Sequence, residues 1–302
     1  MTASKQGGGE DRGSGGPVAA AEGAGRNFQR RLLSALVLAP VAIGAAYLGG
    51  WVFTALCLIA AGAVLWEWAS LKGGPPDPLV LLYGLPTLVL AAALAGRGEG
   101  QPAVAVTIVG AILAALSPLK PRRLRTATML PSGWGAGGVI YAGIVLLCPV
   151  FLRNDPQFGL EALLFLFAIV WATDILAYCV GRAVGGPLLW PRLSPNKTWS
   201  GAIGGLLGGV AAGIAVAYAS GGPRAAIAGV LALVLSVVAQ GGDLFESAIK
   251  RRFGVKDTSH LIPGHGGVMD RLDGFLVAAL AAVLIGIVRQ SVAAPARGLL
   301  AW

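Results

Sequence analysis

Residues 225–292 read AAIAGVLALVLSVVAQGG (225–242), DLFESAIKRRFGVKDTSHLIPGHGGVMDRLD (243–273) and GFLVAALAAVLIGIVRQSV (274–292). The outer segments are almost purely apolar. The middle 31 residues carry ten of the chain's 37 Asp, Glu, Lys and Arg residues and both of its histidines, His260 and His265. Crossing a bilayer takes about 20 apolar residues, so the outer segments read as transmembrane helices. Charge is costly at bilayer depth. An island of it between two spans therefore reads as a place where chemistry is done or a charged ligand is met.

The same pattern extends outward. The chain of 302 residues is 56% hydrophobic and only 12% charged, with a mean hydropathy of +0.74. Further charge-free runs cover residues 32–66, 126–152 and 198–223. Spans are expected at about 32–49, 51–71, 79–96, 102–117, 135–152, 160–181, 200–220, 224–244 and 274–292. The expected fold is therefore all-α: a polytopic integral membrane protein of about nine transmembrane helices, within eight to ten. Residues 1–27 form a Gly/Ala-rich tail with eight glycines, too polar and small to bury a core. Residues 28–158 would form the N-terminal helices, and 159–302 a C-terminal catalytic set. Abundant glycine, 46 in all, suits helices that approach closely in lipid, and it fits a homodimer. The three cysteines, Cys57, Cys148 and Cys179, lack disulfide or metal spacing and read as packing residues.

With the N-terminus in the cytoplasm and spans alternating, 15 Lys and Arg residues after the tail face the cytoplasm and five face the other side. This is the expected positive-inside bias. It puts every polar motif below on the cytoplasmic side of a plasma membrane, bacterial for so simple a chain. The net charge of +9 lies in loops between spans rather than on one basic face. It suits anionic membrane lipids and nucleotide phosphates, not nucleic acid. Glu67, between Trp66 and Trp68 near the end of a span, reads as an interfacial residue beside a tryptophan anchor.

Within the island, Asp243, Ser247 and Lys250 are spaced i, i+4, i+7 and share a helical face, followed by Arg251. A polar loop then holds Lys256 and Asp257 and ends in Pro263-Gly264-His265-Gly266-Gly267. Glycines there let backbone N–H groups approach an anion. Asp270 and Asp273, one turn apart with Arg271 between them, open the next helix. Three carboxylates beside cations and a glycine-containing loop suit Mg²⁺ with a phosphate-bearing ligand, because Mg²⁺ takes oxygen ligands and shares them with phosphates. Upstream, Asp174, Tyr178 and Gly181 share a face of the sixth span, with Arg182 next in line. An acid inside a span is a functional candidate by default. Ser194 and Pro195 then form a turn, and Lys197 and Thr198 offer a cation and a hydroxyl before a Gly-rich helix.

Residues 247–273 resemble the signature of the phosphatidate cytidylyltransferase (CDP-diacylglycerol synthase) family. Ser247, Ile249, Lys250, Arg251, Lys256, Asp257, Ser259, Ile262, Pro263, His265, Gly266, Gly267, Val268, Asp270, Arg271, Leu272 and Asp273 match every fixed position over 27 residues. The segments GDLFES (242–247), DILAYCVGR (174–182) and SPNKTW (194–199) are also similar to the family. The family's turn usually reads S-P-K-K-T-x-E-G. Asn196 and Ser200 depart from it here, and no role is carried over to them.

The resemblance implies transfer of a cytidylyl group from CTP to phosphatidic acid, giving CDP-diacylglycerol and pyrophosphate, with Mg²⁺ required. The metal would be two divalent ions, or one divalent and one monovalent. Asp243, Asp270 and Asp273 are the expected metal ligands, with one carboxylate shared. Lys250, Arg251, Lys256 and Arg271 would hold the phosphates, and His265, Gly266 and Gly267 would shape the loop. Asp174, Tyr178, Arg182, Ser194, Lys197 and Thr198 would face them, with Ser247 and Asp257 nearby. Related CTP-dependent lipid kinases offer a second chemistry. A transporter offers a different class, with Asp174 and Glu67 on an ion path. The motifs gather on one side, however, and no internal repeat pairs the halves.

Overall fold

The computed structural model of the chain describes residues 36–71, 75–116, 133–221, 225–259, 261 and 266–301. The tail, the basic loop at 117–125 and both histidines lie outside the described residues. Among the described residues, nine apolar helices appear in the expected places: α1 (Leu36–Leu48), α2 (Gly50–Ser70), α3 (Pro78–Gly96), α4 (Gly100–Leu116), α5 (Trp134–Arg153), α6 (Gly159–Val184), α7 (Trp199–Ser220), α8 (Ala225–Arg252) and α9 (Met269–Arg289). Seven are long and apolar enough to cross a membrane, and α1 and α4 are shorter. The chain is an all-α, polytopic membrane protein.

Local chemistry sets several boundaries. Pro78 opens α3 and the Asp77 carboxylate accepts from the Leu79 N–H at 3.0 Å; proline suits a first turn because its missing N–H has no helical partner there. Helix α6 stops at Gly185, whose φ of 65° carries the chain out of the helix. The Thr198 hydroxyl caps α7 by accepting from the Gly201 N–H at 3.1 Å.

Helices α2 to α5 pack with one another, as do α6 to α9, and α5 lies against α6 and α9. The tightest pairing is α6 on α7, where glycine removes the side chains that would hold the helices apart. A Cβ at Gly205 would lie 2.6 Å from the Thr173 carbonyl oxygen, and one at Gly201 would lie 2.6 Å from that of Ala177. Close backbone approach of this kind is how helices associate where lipid removes the hydrophobic drive. A buried bond of 2.8 Å between Thr173 and Ser236 hydroxyls joins α6 to α8. Cys57 and Cys148 are buried as expected of packing residues, whereas Cys179 is exposed.

Two features differ from the sequence expectation. The SPNKT turn is one arm of an antiparallel hairpin: β1 (Leu188–Trp190) pairs with β2 (Ser194–Thr198), Trp190 facing Ser194 and Leu188 facing Thr198. A short tenth helix, α10 (Pro295–Leu300), folds back with Leu299 and Leu300 buried.

Candidate active site

The polar residues meet where the late turns of α2, α6 and α8 approach the starts of α7 and α9. Helix α8 continues through its charged end to Arg252, so Asp243, Glu246, Ser247 and Lys250 lie on consecutive turns. Helix α9 begins at Met269 and places Asp270 and Asp273 in its first two turns.

Three carboxylates converge. Asp243, Glu246 and Asp273 each present an oxygen within 4.8 Å of the others. At or inside that spacing, unit charges in an effective dielectric of about 20 would repel by at least about 3.5 kcal/mol per pair. Glu246 is fully buried, and neither of its oxygens accepts a hydrogen bond among the described residues. Its nearest cation is the Lys250 ammonium at 3.3 Å. A buried carboxylate beside two further carboxylates, with an ammonium at 3.3 Å, is what a cation-binding cluster presents; the residues present fit a divalent ion. The Lys197 ammonium reaches across from β2 to pair with Asp243.

Asp270 lies apart from the three-carboxylate group. One oxygen pairs with Lys250 at 2.8 Å. The other accepts from the Gly267 N–H at 2.8 Å, and from the Thr258 N–H and hydroxyl at 3.0 Å each. Of the three expected metal ligands, Asp243 and Asp273 therefore come together, and Glu246 stands beside them where Asp270 was expected. Lys250 bridges the two sets, at 3.3 Å from Glu246 and 2.8 Å from Asp270.

The glycines shape the loop beside Asp270. Gly266 has φ 81°, a conformation natural to glycine. The Gly267 N–H faces an anion, but that anion is Asp270 of the same chain. A Cβ on Gly267 would collide with the Thr258 hydroxyl and lie 2.7 Å from both oxygens of Glu67.

The other predicted residues take these places. Asp174 on α6 looks toward the cluster; the charges it senses most are those of Asp273, Asp243, Lys197 and Arg271. Thr198 caps α7 and bonds the Ser200 hydroxyl at 2.9 Å, and Ser200 donates to the Gly185 carbonyl. Ser200, which departs from the family turn, thus clasps the base of the hairpin. Arg251 donates to the Leu193 carbonyl at 3.3 Å and ties the end of α8 to that hairpin, next to Ser194. Tyr178 and Arg182 bond each other at 3.3 Å on the exposed side of α6. Ser247 is half-buried, and Lys256, Asp257 and Arg271 are exposed. His265 lies outside the described residues.

Glu67 corrects the sequence reading. It is not an interfacial residue but is fully buried. One oxygen accepts from the Ser259 hydroxyl at 2.6 Å and the Val268 N–H at 2.8 Å. The other accepts from the Met269 N–H at 2.7 Å and the Thr258 hydroxyl at 3.2 Å. Its neighbour Trp68 provides the anchor, but to protein rather than to the interface. It stacks on Trp134 with centroids 4.3 Å apart, and Trp134 meets Phe253 at 4.7 Å.

The sequence pattern of the Cytidylyltransferase family matches residues 29–288. The chain belongs to the cytidylyltransferase family. Proteins named phosphatidate cytidylyltransferase from Brucella abortus biovar 1 (strain 9-941) and Brucella melitensis biotype 1 are each 42% identical to it over 262 residues, 87% of this chain and 94% of theirs. The phosphatidate cytidylyltransferase of Bacillus subtilis (strain 168) is 39% identical over 138 residues, 45% of this chain and 51% of that protein. Membership makes the chain a nucleotidyltransferase. In this cytidylyltransferase Asp243, Glu246 and Asp273, beside Lys197 and Lys250, form an acidic cluster of the kind that can hold a metal ion.

Proposed function

We propose that this chain is a phosphatidate cytidylyltransferase that makes CDP-diacylglycerol and pyrophosphate from CTP and phosphatidic acid. The observation that carries the reading is the convergence of Asp243, Glu246 and Asp273 within 4.8 Å around a fully buried Glu246, with the Lys250 ammonium 3.3 Å from it. In the reaction a phosphate oxygen of phosphatidate attacks the α-phosphorus of CTP. The bond from that phosphorus to the oxygen bridging to the β-phosphate breaks, and pyrophosphate leaves. No protein nucleophile is needed, because the lipid phosphate already bears an oxyanion.

Both substrates are anionic, so the site has to offset their repulsion. Asp243, Glu246 and Asp273 would hold the metal, which is Mg²⁺ in this proposal. Bound there, a divalent ion supplies positive charge to the phosphate oxygens as charge shifts to the leaving group. Lys197 and Lys250 orient the cluster through their carboxylate pairs and present ammonium groups to the phosphates. Arg251, Lys256 and Arg271, at the exposed rim, receive the triphosphate or the lipid headgroup, and His265, Gly266 and Gly267 close the loop beside them. Asp174, Tyr178, Arg182, Ser194 and Thr198 form the facing wall, with Ser247 and Asp257 adjoining.

In this reading residues 159–302 carry the catalytic helices and 28–158 support them. The protein lies in a bacterial plasma membrane, with its N-terminus and site on the cytoplasmic side, as the 15-to-five bias of basic residues favours. A nucleotide arriving from water there meets a phosphate still anchored in lipid. A homodimer belongs to the same reading, on the strength of the glycine-rich spans, and cross-linking in nanodiscs tests it. The reaction itself is tested by incubating purified protein with α-labelled CTP, phosphatidate and Mg²⁺. The expected result is label in the lipid phase with release of pyrophosphate. CDP in the aqueous phase with no labelled lipid would indicate kinase chemistry and overturn the reading.

A further inference from the structure

Glu67 sits in the N-terminal set of helices, yet each of its four hydrogen bonds among the described residues goes to the segment that closes the acidic site. Its partners lie between 191 and 202 residues away in sequence. All four are donors, the full complement of an acceptor-only carboxylate with two oxygens. Two of them, the N–H groups of Val268 and Met269, belong to the N-cap and first residue of α9. N–H groups at a helix start have no partner within the helix, and an anion there is favoured by the helix dipole. Glu67 thus caps α9 from a different helix.

The cap stands directly before Asp270 and Asp273. Holding the Val268 and Met269 N–H groups fixes how the first turn of α9 is rotated, and so where both carboxylates point. The Thr258 hydroxyl lies 3.2 Å from Glu67 and 3.0 Å from Asp270, and its single proton is donated to one of them at a time. Ser259 extends the chain of contacts by accepting from the Leu261 N–H at 3.2 Å while donating to Glu67. Gly267 leaves the space that seats the carboxylate, since a Cβ there would lie 2.7 Å from both of its oxygens. Behind Glu67 the Trp68–Trp134–Phe253 stack fixes the end of α2 against the start of α5 and the residue after α8.

We propose that Glu67 is a positioning residue for the metal-holding cluster: by capping α9 from across the bundle, it aligns Asp273 with Asp243 and Glu246, and Asp270 with Lys250. The proposal rests on the cluster being the metal site of the cytidylyltransferase reading. Glu67 touches neither metal nor substrate; it acts through the start of α9.

The test uses full-length protein in nanodiscs, with Mn²⁺ as the probe. Glu67→Gln keeps the shape but turns an amide NH₂ toward one backbone N–H and one hydroxyl; the hydroxyl can turn to accept, but the N–H bond, to Val268 or Met269, is lost. Ser259→Ala removes one donor and leaves Glu67 in place. Leu65→Ala, at a fully buried position on the same helix, is the control for general loosening. Mn²⁺ affinity is read by electron paramagnetic resonance, and amide exchange is followed at Val268 and Met269. Changing a residue that orients metal ligands typically weakens affinity about 10- to 100-fold. Glu67→Gln is expected to weaken Mn²⁺ binding by at least about tenfold and to speed exchange at those amides. Ser259→Ala should do both to a smaller degree. Leu65→Ala should lower the melting temperature with little change in Mn²⁺ affinity. Unchanged Mn²⁺ affinity in Glu67→Gln, or equal weakening in Leu65→Ala, overturns the proposal. If Glu67→Gln does not fold, the comparison of Ser259→Ala with Leu65→Ala decides in the same way. Neither readout requires turnover. If wild-type protein fails to transfer label from CTP, the reaction assignment falls, while the Mn²⁺ and exchange results still judge Glu67.

Discussion

The two ends of the helix bundle use their polar side chains in opposite ways. At the end away from the site, Arg153 reaches from the close of α5 to the carbonyls of Ala46 at 2.5 Å and Tyr47 at 3.2 Å, where α1 ends. Asn154 donates to the Ala95 carbonyl at 2.8 Å, near the end of α3. Arg289 donates to the carbonyls of Gly298 and Ala301 around α10. Asp155 accepts from the N–H groups of Gln157 and Phe158 at 2.9 Å each, ahead of α6. These groups satisfy the backbone atoms that helix ends leave without partners. At the site end Glu67 and Asp270 do similar work, but Asp243, Glu246 and Asp273 face one another. Asp273 accepts one N–H, that of Gly274 at 2.7 Å, and the cluster also pairs with the ammonium groups of Lys197 and Lys250. The contrast separates polar groups that complete the fold from those left for a ligand.

The comparison can be broken at either end. The largest expected effect is at the cluster: Asp243→Asn and Asp273→Asn should each lower kcat by about 10²–10³-fold, the scale for losing a group that stabilises developing charge, without unfolding the protein. Steady-state assays on variants with wild-type melting temperatures check this. Near-normal turnover in both would remove the distinction between the two ends. Lys250→Met should reduce both activity and stability. It leaves the buried Glu246 and Asp270 without their shared ammonium, and breaking a buried pair costs about 3–5 kcal/mol. Partial exposure of the lysine moderates that to about 2–3 kcal/mol, measurable by denaturation in detergent. The smallest effect is expected at the closed end. Arg153→Met strips the caps from α1 and should lower stability by about 1–2 kcal/mol, with kcat per folded molecule unchanged. A loss of turnover there as large as at the cluster would mean that the ends are not functionally distinct.

Much of this was legible in the sequence, because lipid imposes a simple code. Each span is an apolar run, and each of the nine runs holds a helix among the described residues. Asp243 and Asp273 stood out as acids beside such runs. Glu246 was equally visible, one turn from Asp243 and one turn before Lys250, but the face drawn through Asp243, Ser247 and Lys250 passed it over. The hairpin at 188–198 gave little signal. Its strands are three and five residues long, one contains Pro195, and neither shows an alternating pattern. Glu67 was read as an interfacial residue, since its partners are at least 191 residues away and no local pattern encodes them. The purpose of Gly267 followed the same rule: its neighbour in space is Glu67, and only the folded chain brings the two together.

The most direct test of the account is transfer of α-labelled CTP into phosphatidate by Glu246→Gln beside the wild type. The change keeps the side chain's size and helix while removing one of the three charges from the cluster. The account predicts label in the lipid phase with the wild type and a rate at least about 10²-fold lower with folded Glu246→Gln. Wild-type rates from that variant would contradict the claim that these three carboxylates form the working centre.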